Sequence, residues 1–282
     1  MIIDAHHHFW RYDPAEYDWI SEPMRVLRRD FLPPDLRAEI AATGVGGVIS
    51  VQARQTLGET RALLAHAQAH DFILAVVGWV PLVDPAVRDA LAEFTQDPNF
   101  RACRHVLQDE PDDDYMLRQD FNRGMRALTE AGLAYDILVF ERHLPQSLQL
   151  VDRHPHQVFV LDHIGKPRIR DASFAAWHAA IRELARRANV YCKISGLVTE
   201  ADWRRWSAAD LAPYMDAVLD AFGPRRLMYG SDWPVCLLGA SYTRWFELVA
   251  GFAAHLSVGE RDRLLGGTAV DAYQLQPRRP LQ

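Results

Sequence analysis

Two histidines separated by one residue, His6 and His8, close the short apolar run that opens the chain. In an extended strand successive side chains alternate, so His6 and His8 share a face while His7 points away. Two imidazoles on one face, about 7 Å apart along the backbone, can hold one metal ion or bracket one substrate. A lone histidine is more often a satisfied core residue; the His-x-His pair at a strand exit reads as functional. Other polar residues recur at the ends of apolar runs: Gln52 and Arg54, Trp79, Arg104 with His105 and Gln108, and Glu141. Further along come Asp162-His163, Lys193 with Ser195, and Ser231-Asp232-Trp233. If all these exits meet at one end of a closed sheet, residues far apart in sequence line one cavity.

The elements that would achieve this are legible. Eight runs read as strands: Ile2–Ala5, Gly47–Val51, Ile73–Trp79, Ala102–Leu107, Ala134–Phe140, Val158–Leu161, Val190–Ile194 and Leu227–Gly230. Several are almost continuously apolar, as strands buried on both faces are. Amphipathic stretches lie between them, among them Pro34–Ala42, Leu57–His70, Tyr115–Ala131, Phe174–Ala188 and Ala209–Phe222. Gly132 and Gly223 stand where helix C-caps belong. Eight βα units predict an α/β fold, a (β/α)₈ TIM barrel that forms one domain over residues 1–282. No glycine-rich nucleotide fingerprint follows any strand. The segment 9–33 breaks the alternation. It is long, polar and aromatic, with Trp10, Tyr12, Tyr17 and Trp19, and it follows the first strand on the face where barrel enzymes keep their sites. It is expected either as a lid or as a loop packed over the barrel edge. Residues 276–282 read as a flexible tail.

Composition excludes other classes. Of 282 residues, 49% are hydrophobic and 24% charged, which fits a globular chain and not a disordered one. The net charge of −6, with both signs spread along the chain, offers no basic stripe for nucleic acid. No apolar run approaches the about 20 residues that span a bilayer, and the N-terminus carries no basic, cleavable leader. Cys103, Cys192 and Cys236 are odd in number, far apart and in no Cys-x-x-Cys pattern, so they read as inert buried thiols. A cytoplasmic location and a small-molecule partner are expected.

Asp4-Ala5-His6-His7-His8-Phe9-Trp10, Asp162-His163-Ile164-Gly165-Lys166-Pro167 and Tyr229-Gly230-Ser231-Asp232-Trp233-Pro234 together resemble the amidohydrolase superfamily. They are most similar to its lactone hydrolase branch, whose enzymes act on L-fuconolactone, L-rhamnonolactone and related sugar-acid lactones. The resemblance runs on through Arg104-His105-Val106-Leu107-Gln108 and Lys193-Ile194-Ser195-Gly196-Leu197 to Gly266-Gly267-Thr268-Ala269, nearly the whole chain. It implies a (β/α)₈ barrel, sometimes distorted, with His6, His8, His163 and Asp232 in the active site. The sequence departs from the two-metal members, which use a bridging lysine or glutamate and two middle-strand histidines; here the later strand offers Lys193 and Ser195. Two metals are therefore not expected. His6, His8, His163 and Asp232 remain a ligand set for a single Zn²⁺ with water completing it. The lactonase branch implies that no metal is obligatory and that the histidines act directly.

Lactone opening is acyl transfer to water, which needs a base, an electrophile for the developing oxyanion, and an acid for the leaving alkoxide. The resemblance makes Asp232 the base, with His6, His8 and His163 polarising the carbonyl oxygen. Arg104, a permanent cation with a planar fork, suits a carbonyl or a hydroxyl pair; a surface salt bridge is its alternative. His105 would point away if Arg104 points in. Gln52, Trp79 and Trp233 are expected to wall the substrate site, with Lys193 as a polar neighbour. L-fuconolactone is the preferred substrate on resemblance alone. Two rivals share these residues: a Zn²⁺-dependent decarboxylase or hydrolase of an unsaturated or aromatic acid, and a barrel that only binds sugar acids. The decarboxylases usually carry a further histidine near the position of Lys193.

Overall fold

A computed structural model describes residues 1–275; the tail expected at 276–282 lies outside the described residues. Eight strands form one parallel sheet in sequence order: β1 (Ile2–His7), β2 (Val45–Val51), β3 (Ile73–Gly78), β4 (Phe100–Val106), β5 (Ala134–Leu138), β6 (Phe159–Leu161), β7 (Val190–Ile194) and β8 (Leu227–Tyr229). The ends of the sheet meet beyond β8, where His8 N donates to the Trp233 carbonyl at 2.7 Å and Asp232 N to the His6 carbonyl at 2.7 Å. This is the expected (β/α)₈ barrel, with strand boundaries shifted by at most two residues.

The helices are α1 (Pro33–Ile40), α2 (Leu57–Ala69), α3 (Val87–Phe94), α4 (Gln119–Glu130), α5 (Leu144–Arg153) and α6 (Ala175–Ala185). They continue with α7 (Leu197–Glu200), α8 (Ala208–Phe222), α9 (Tyr242–Phe252), α10 (Val258–Asp262) and α11 (Thr268–Ala272). Their ends follow local chemistry. Thr56 Oγ1 accepts from Glu59 N at 3.1 Å to start α2, and Gly223 leaves α8 at φ 67°. No described helix is long and apolar enough to cross a membrane. Cys103, Cys192 and Cys236 are free and buried.

Alternation along the strands separates two cores. Outward residues such as Val48, Val76, Ile137, Leu161 and Ile194 pack beneath the helices. Inward residues Ile3, Ala5, Ile49, Ala75, Ala102, Ala134, Val160 and Met228 fill the lower barrel, plugged by Ala269, Ala272 and Tyr273 from and just beyond α11. One level higher, the next inward positions carry Arg104 of β4, Asp136 of β5, Asp162 just past β6 and Lys193 of β7. The pairing of β1 with β2 slips between Asp4 and His7, so that Ala5 and His6 both turn inward and His7 turns out. His7 Nε2 meets Ser50 Oγ at 3.0 Å on the outer side.

Residues 9–33 are anchored by their own sheet-like bridge: Trp10 N donates to the Phe31 carbonyl at 3.0 Å, and Phe31 N returns a bond at 2.9 Å. Trp10, Tyr17, Ile20, Leu27 and Phe31 are buried. The Trp10 ring lies 5.5 Å from Tyr17 and 5.4 Å from Phe31. The segment is packed against the barrel and also reaches over its mouth.

Candidate active site

The floor of the site is a buried ionic network. Lys193 Nζ lies 2.5 Å from Asp136 Oδ2, 2.9 Å from Asp162 Oδ1 and 3.1 Å from His6 Nδ1. Asp136 also accepts from the Tyr273 hydroxyl at 2.9 Å, and Arg104 Nη1 donates to Asp162 Oδ2 at 3.0 Å. Two cations face two carboxylates, which is how a barrel interior tolerates charge. Burial pushes Asp136 up to about 6 against the pull of Lys193. Asp162 stays well below the usual carboxylate range: burial raises it, but Lys193, His6 and Arg104 outweigh that.

His6 stands on this network and points its other nitrogen upward. Its Nε2 lies 3.2 Å from His8 Nε2, 3.3 Å from Arg104 Nη1 and 3.8 Å from Asp232 Oδ1. His8 Nε2 is 3.4 Å from the same carboxylate oxygen, and His163 Nε2 is 3.9 Å from it. Ring orientations are held from behind. His8 Nδ1 donates to the Val51 carbonyl at 2.8 Å, which leaves Nε2 a bare acceptor, and His163 Nδ1 meets Ser195 Oγ at 2.9 Å. Burial lowers His6 well below the ordinary histidine range, with Lys193 and His163 acting the same way and Asp162 opposing. Burial likewise lowers His8, and lowers His163 to about 4 against the two carboxylates beside it. All three rings are therefore neutral at neutral pH. Burial would raise Asp232, yet His163, His8 and Lys166 hold it below the usual carboxylate value.

These distances also test the donor set as a metal site. Four ligands at about 2.0–2.1 Å from a tetrahedral Zn²⁺ stand about 3.3–3.4 Å apart. Among the described residues, His6, His8 and Asp232 form a buried donor group close to that spacing, and His163 borders it. The set fits one metal ion. The two neighbours of His6 Nδ1 select opposite tautomers. Lys193 can only donate, which leaves the ring proton on Nε2; Asp162 Oδ1, 3.2 Å away, can only accept while ionised, which would leave Nε2 free to ligate.

Backbone strain concentrates here. Asp232 has φ 58°, and four consecutive residues after β6 are left-handed: His163 (φ 52°), Ile164 (φ 50°), Gly165 (φ 74°) and Lys166 (φ 46°). Each non-glycine residue in that region costs about 1–2 kcal/mol, and Ile164, being β-branched, is a clear outlier. The turn is held by Lys166 N donating to the His163 carbonyl at 2.9 Å and Trp177 Nε1 to the Ile164 carbonyl at 2.8 Å. Opposite it, Gly196 is required twice over: its φ is 71°, and a Cβ would lie 2.6 Å from His163 Nδ1.

Above the histidines opens a cavity of about 690 Å³. His8, His163, Asp232 and Arg104 reach its surface, and His6 lies immediately beneath. The structure thus brings together the first-strand histidines, His163, Asp232 and Arg104. The four residues expected beside the substrate lie elsewhere. Lys193 is fully buried below His6. Gln52 is also fully buried, its Nε2 donating to the Arg104 backbone carbonyl at 3.1 Å while its backbone carbonyl accepts from Arg104 Nη2. Trp79 turns outward, where its Nε1 donates to His105 Nδ1 at 3.2 Å and His105 pairs with Glu110 at 2.6 Å. Trp233 is buried between Phe9 and Phe31. Both tryptophans stand past the last residue of their strand, Gly78 in β3 and Tyr229 in β8, where strand alternation no longer sets which way a side chain turns. The aromatic walls are instead Trp10, Trp19 and Trp203, two of them from residues 9–33.

Sequence reasoning passed over Asp136, Lys166 and Glu200. Asp136 had a signal, an acidic residue inside an otherwise apolar strand. Lys166 lay within a quoted motif without a role, and nothing local marked Glu200.

The chain is similar to known proteins over nearly its whole length. An L-fucono-1,5-lactonase of Burkholderia multivorans is 48% identical, with 98% of this chain and 96% of that protein covered. An L-fucono-1,5-lactonase of Burkholderia ambifaria is 38% identical, with 97% and 95% covered. A crystal structure of an amidohydrolase from Burkholderia multivorans with bound zinc superposes with a TM-score of 0.94 at 48% identity, covering 98% of this chain and all of that one. Residues 3–275 match the amidohydrolase family, and with the barrel, the paired first-strand histidines, His163 and Asp232 in one cavity, the chain belongs to that family.

Proposed function

We propose that this protein hydrolyses a neutral sugar-acid lactone, L-fuconolactone before others, to the open-chain aldonic acid. The observation that carries the reading is the meeting of Asp232 with His6, His8, His163 and Arg104 at the floor of one cavity, in a chain 48% identical to a fuconolactonase. Asp232, ionised and buried, accepts a proton from a water as that water attacks the lactone carbonyl carbon. The carbonyl oxygen becomes an oxyanion next to the His6 Nε2–H and the Arg104 guanidinium; donors of this kind contribute roughly 3–4 kcal/mol each. Collapse re-forms the carbonyl and breaks the bond to the ring oxygen, which takes the proton from Asp232. Water is consumed and a hydroxy acid leaves. Trp10 and Trp19, from residues 9–33, wall the cavity that takes the ring. The reading includes a cytoplasmic home, in keeping with three free buried thiols, and no nucleic-acid or membrane partner.

His6, His8 and Asp232, with His163 beside them, are the residues that would hold a zinc ion, which when bound polarises a carbonyl and acidifies water. The reading makes that ion dispensable, because Arg104 and Lys193 already set two permanent cations against His6. A pH-indicator assay over five- and six-membered sugar lactones tests the reaction. Turnover well above spontaneous hydrolysis is expected, and its absence across the panel removes the proposal. Exhaustive chelation should leave that turnover intact; loss that added Zn²⁺ restores would make the histidines obligatory ligands.

A further inference from the structure

We infer that Lys166 and Glu200 act as a pair that recognises neighbouring hydroxyl groups on the substrate ring and so sets which lactones are accepted; this rests on the lactone reading above. Both side chains line the cavity that holds His163 and Asp232. Their Nζ and Oε1 atoms are 3.9 Å apart, with the side chains 15% and 20% exposed. That separation exceeds hydrogen-bond reach, so ammonium protons and carboxylate lone pairs remain available to a ligand. A single hydroxyl can bridge such a gap by accepting from the ammonium and donating to the carboxylate. Two hydroxyls on adjacent ring carbons can divide the two bonds between them.

The pair is built into the same rigid pieces as the reacting centre. Lys166 ends the left-handed turn that begins at His163, so the two share one constrained stretch of backbone. Its ammonium lies 5.3 Å from the centre of the Phe140 ring, which limits where it can swing. Glu200 ends α7, four residues after Gly196, whose missing side chain lets His163 sit where it does. A cation and an anion side by side carry no net charge, which suits an uncharged polyol. Glu200 would repel a lactone bearing a carboxylate at that position.

The test compares a hydroxylated lactone with analogues deoxygenated singly at each ring carbon, using the wild-type protein, Glu200→Gln and Lys166→Met. At one carbon, or two adjacent ones, the wild-type preference for hydroxyl over hydrogen in kcat/KM should fall at least tenfold in each variant. The loss on the hydroxylated lactone should exceed the loss on that deoxy analogue and fall mainly on KM. The ratio is read on one preparation, so partial unfolding cancels, and if one variant does not fold the other decides. Equal losses on every lactone, or an unchanged ratio at every carbon, overturn the pair as a hydroxyl reader. Wild-type protein without any lactone turnover removes the parent reading and this one with it.

Discussion

His6 is pulled between two roles by what sits behind it. With Lys193 donating to Nδ1, the ring offers an N–H to the cavity; with Asp162 accepting from Nδ1, it offers a lone pair. Replacing Lys193 with methionine removes the donor and one of two cations, so Lys193→Met should bind Zn²⁺ at least tenfold more tightly by calorimetry and lose metal-free turnover. Unchanged zinc affinity would mean that Lys193 does not bias the tautomer. Asp232 bears the heavier chemical load. Asp232→Asn keeps shape and loses the base, so kcat should fall by about 10²–10⁴ while the thermal unfolding temperature moves by a few degrees. Retained activity would point to another group activating water.

At the scale of elements, the segment 9–33 is both packed and positioned to act. Its bridge from Trp10 to Phe31 and its buried aromatics fasten its two ends, while Glu16 pairs with Arg54 at the exit of β2. Between those anchors, Arg25, Arg28 and Arg29 are exposed. If the segment closes on substrate, saturating lactone or product should slow tryptic cleavage at these arginines several-fold. Equal rates with and without ligand would make it a fixed wall. The left-handed turn after β6 is the other telling element. Strain of that kind persists only where its surroundings over-determine it, and here the surroundings are Trp177, Gly196 and Ser195.

Across the whole molecule, stability must answer to charges the fold buries. Glu59, in the first turn of α2, accepts from Ala53 N at 2.9 Å and Arg54 N at 2.5 Å. Burial nevertheless pushes its carboxyl up to about 7, those two bonds and the Arg54 charge opposing. A carboxyl whose folded pKa is raised binds more protons folded than unfolded, so its contribution is full below the unfolded value of 4.5 and falls as pH rises towards 7. The loss is on the order of 3 kcal/mol. Glu59→Gln should therefore flatten the decline in urea-unfolding stability between pH 5 and pH 7. An unaltered slope would assign the decline to other groups, such as Asp4, which burial raises to about 6 against several hydrogen bonds.

The strands, the barrel and the His6–His8 pair were legible in the chain because burial on two faces and alternation along a strand are local patterns that survive without knowledge of neighbours. Alternation could not place Trp79 and Trp233, because both stand past the ends of β3 and β8, where the loop backbone and no longer the strand decides which way a side chain turns. Lys193 and Gln52 lay at strand exits on paper, yet depth along the barrel axis put them under the site. Tertiary packing alone decided that depth, the slip in β1 that turns His6 inward, and the spacing of Lys166 from Glu200. Each depends on how strands from distant parts of the chain are staggered against one another, a quantity no single segment encodes.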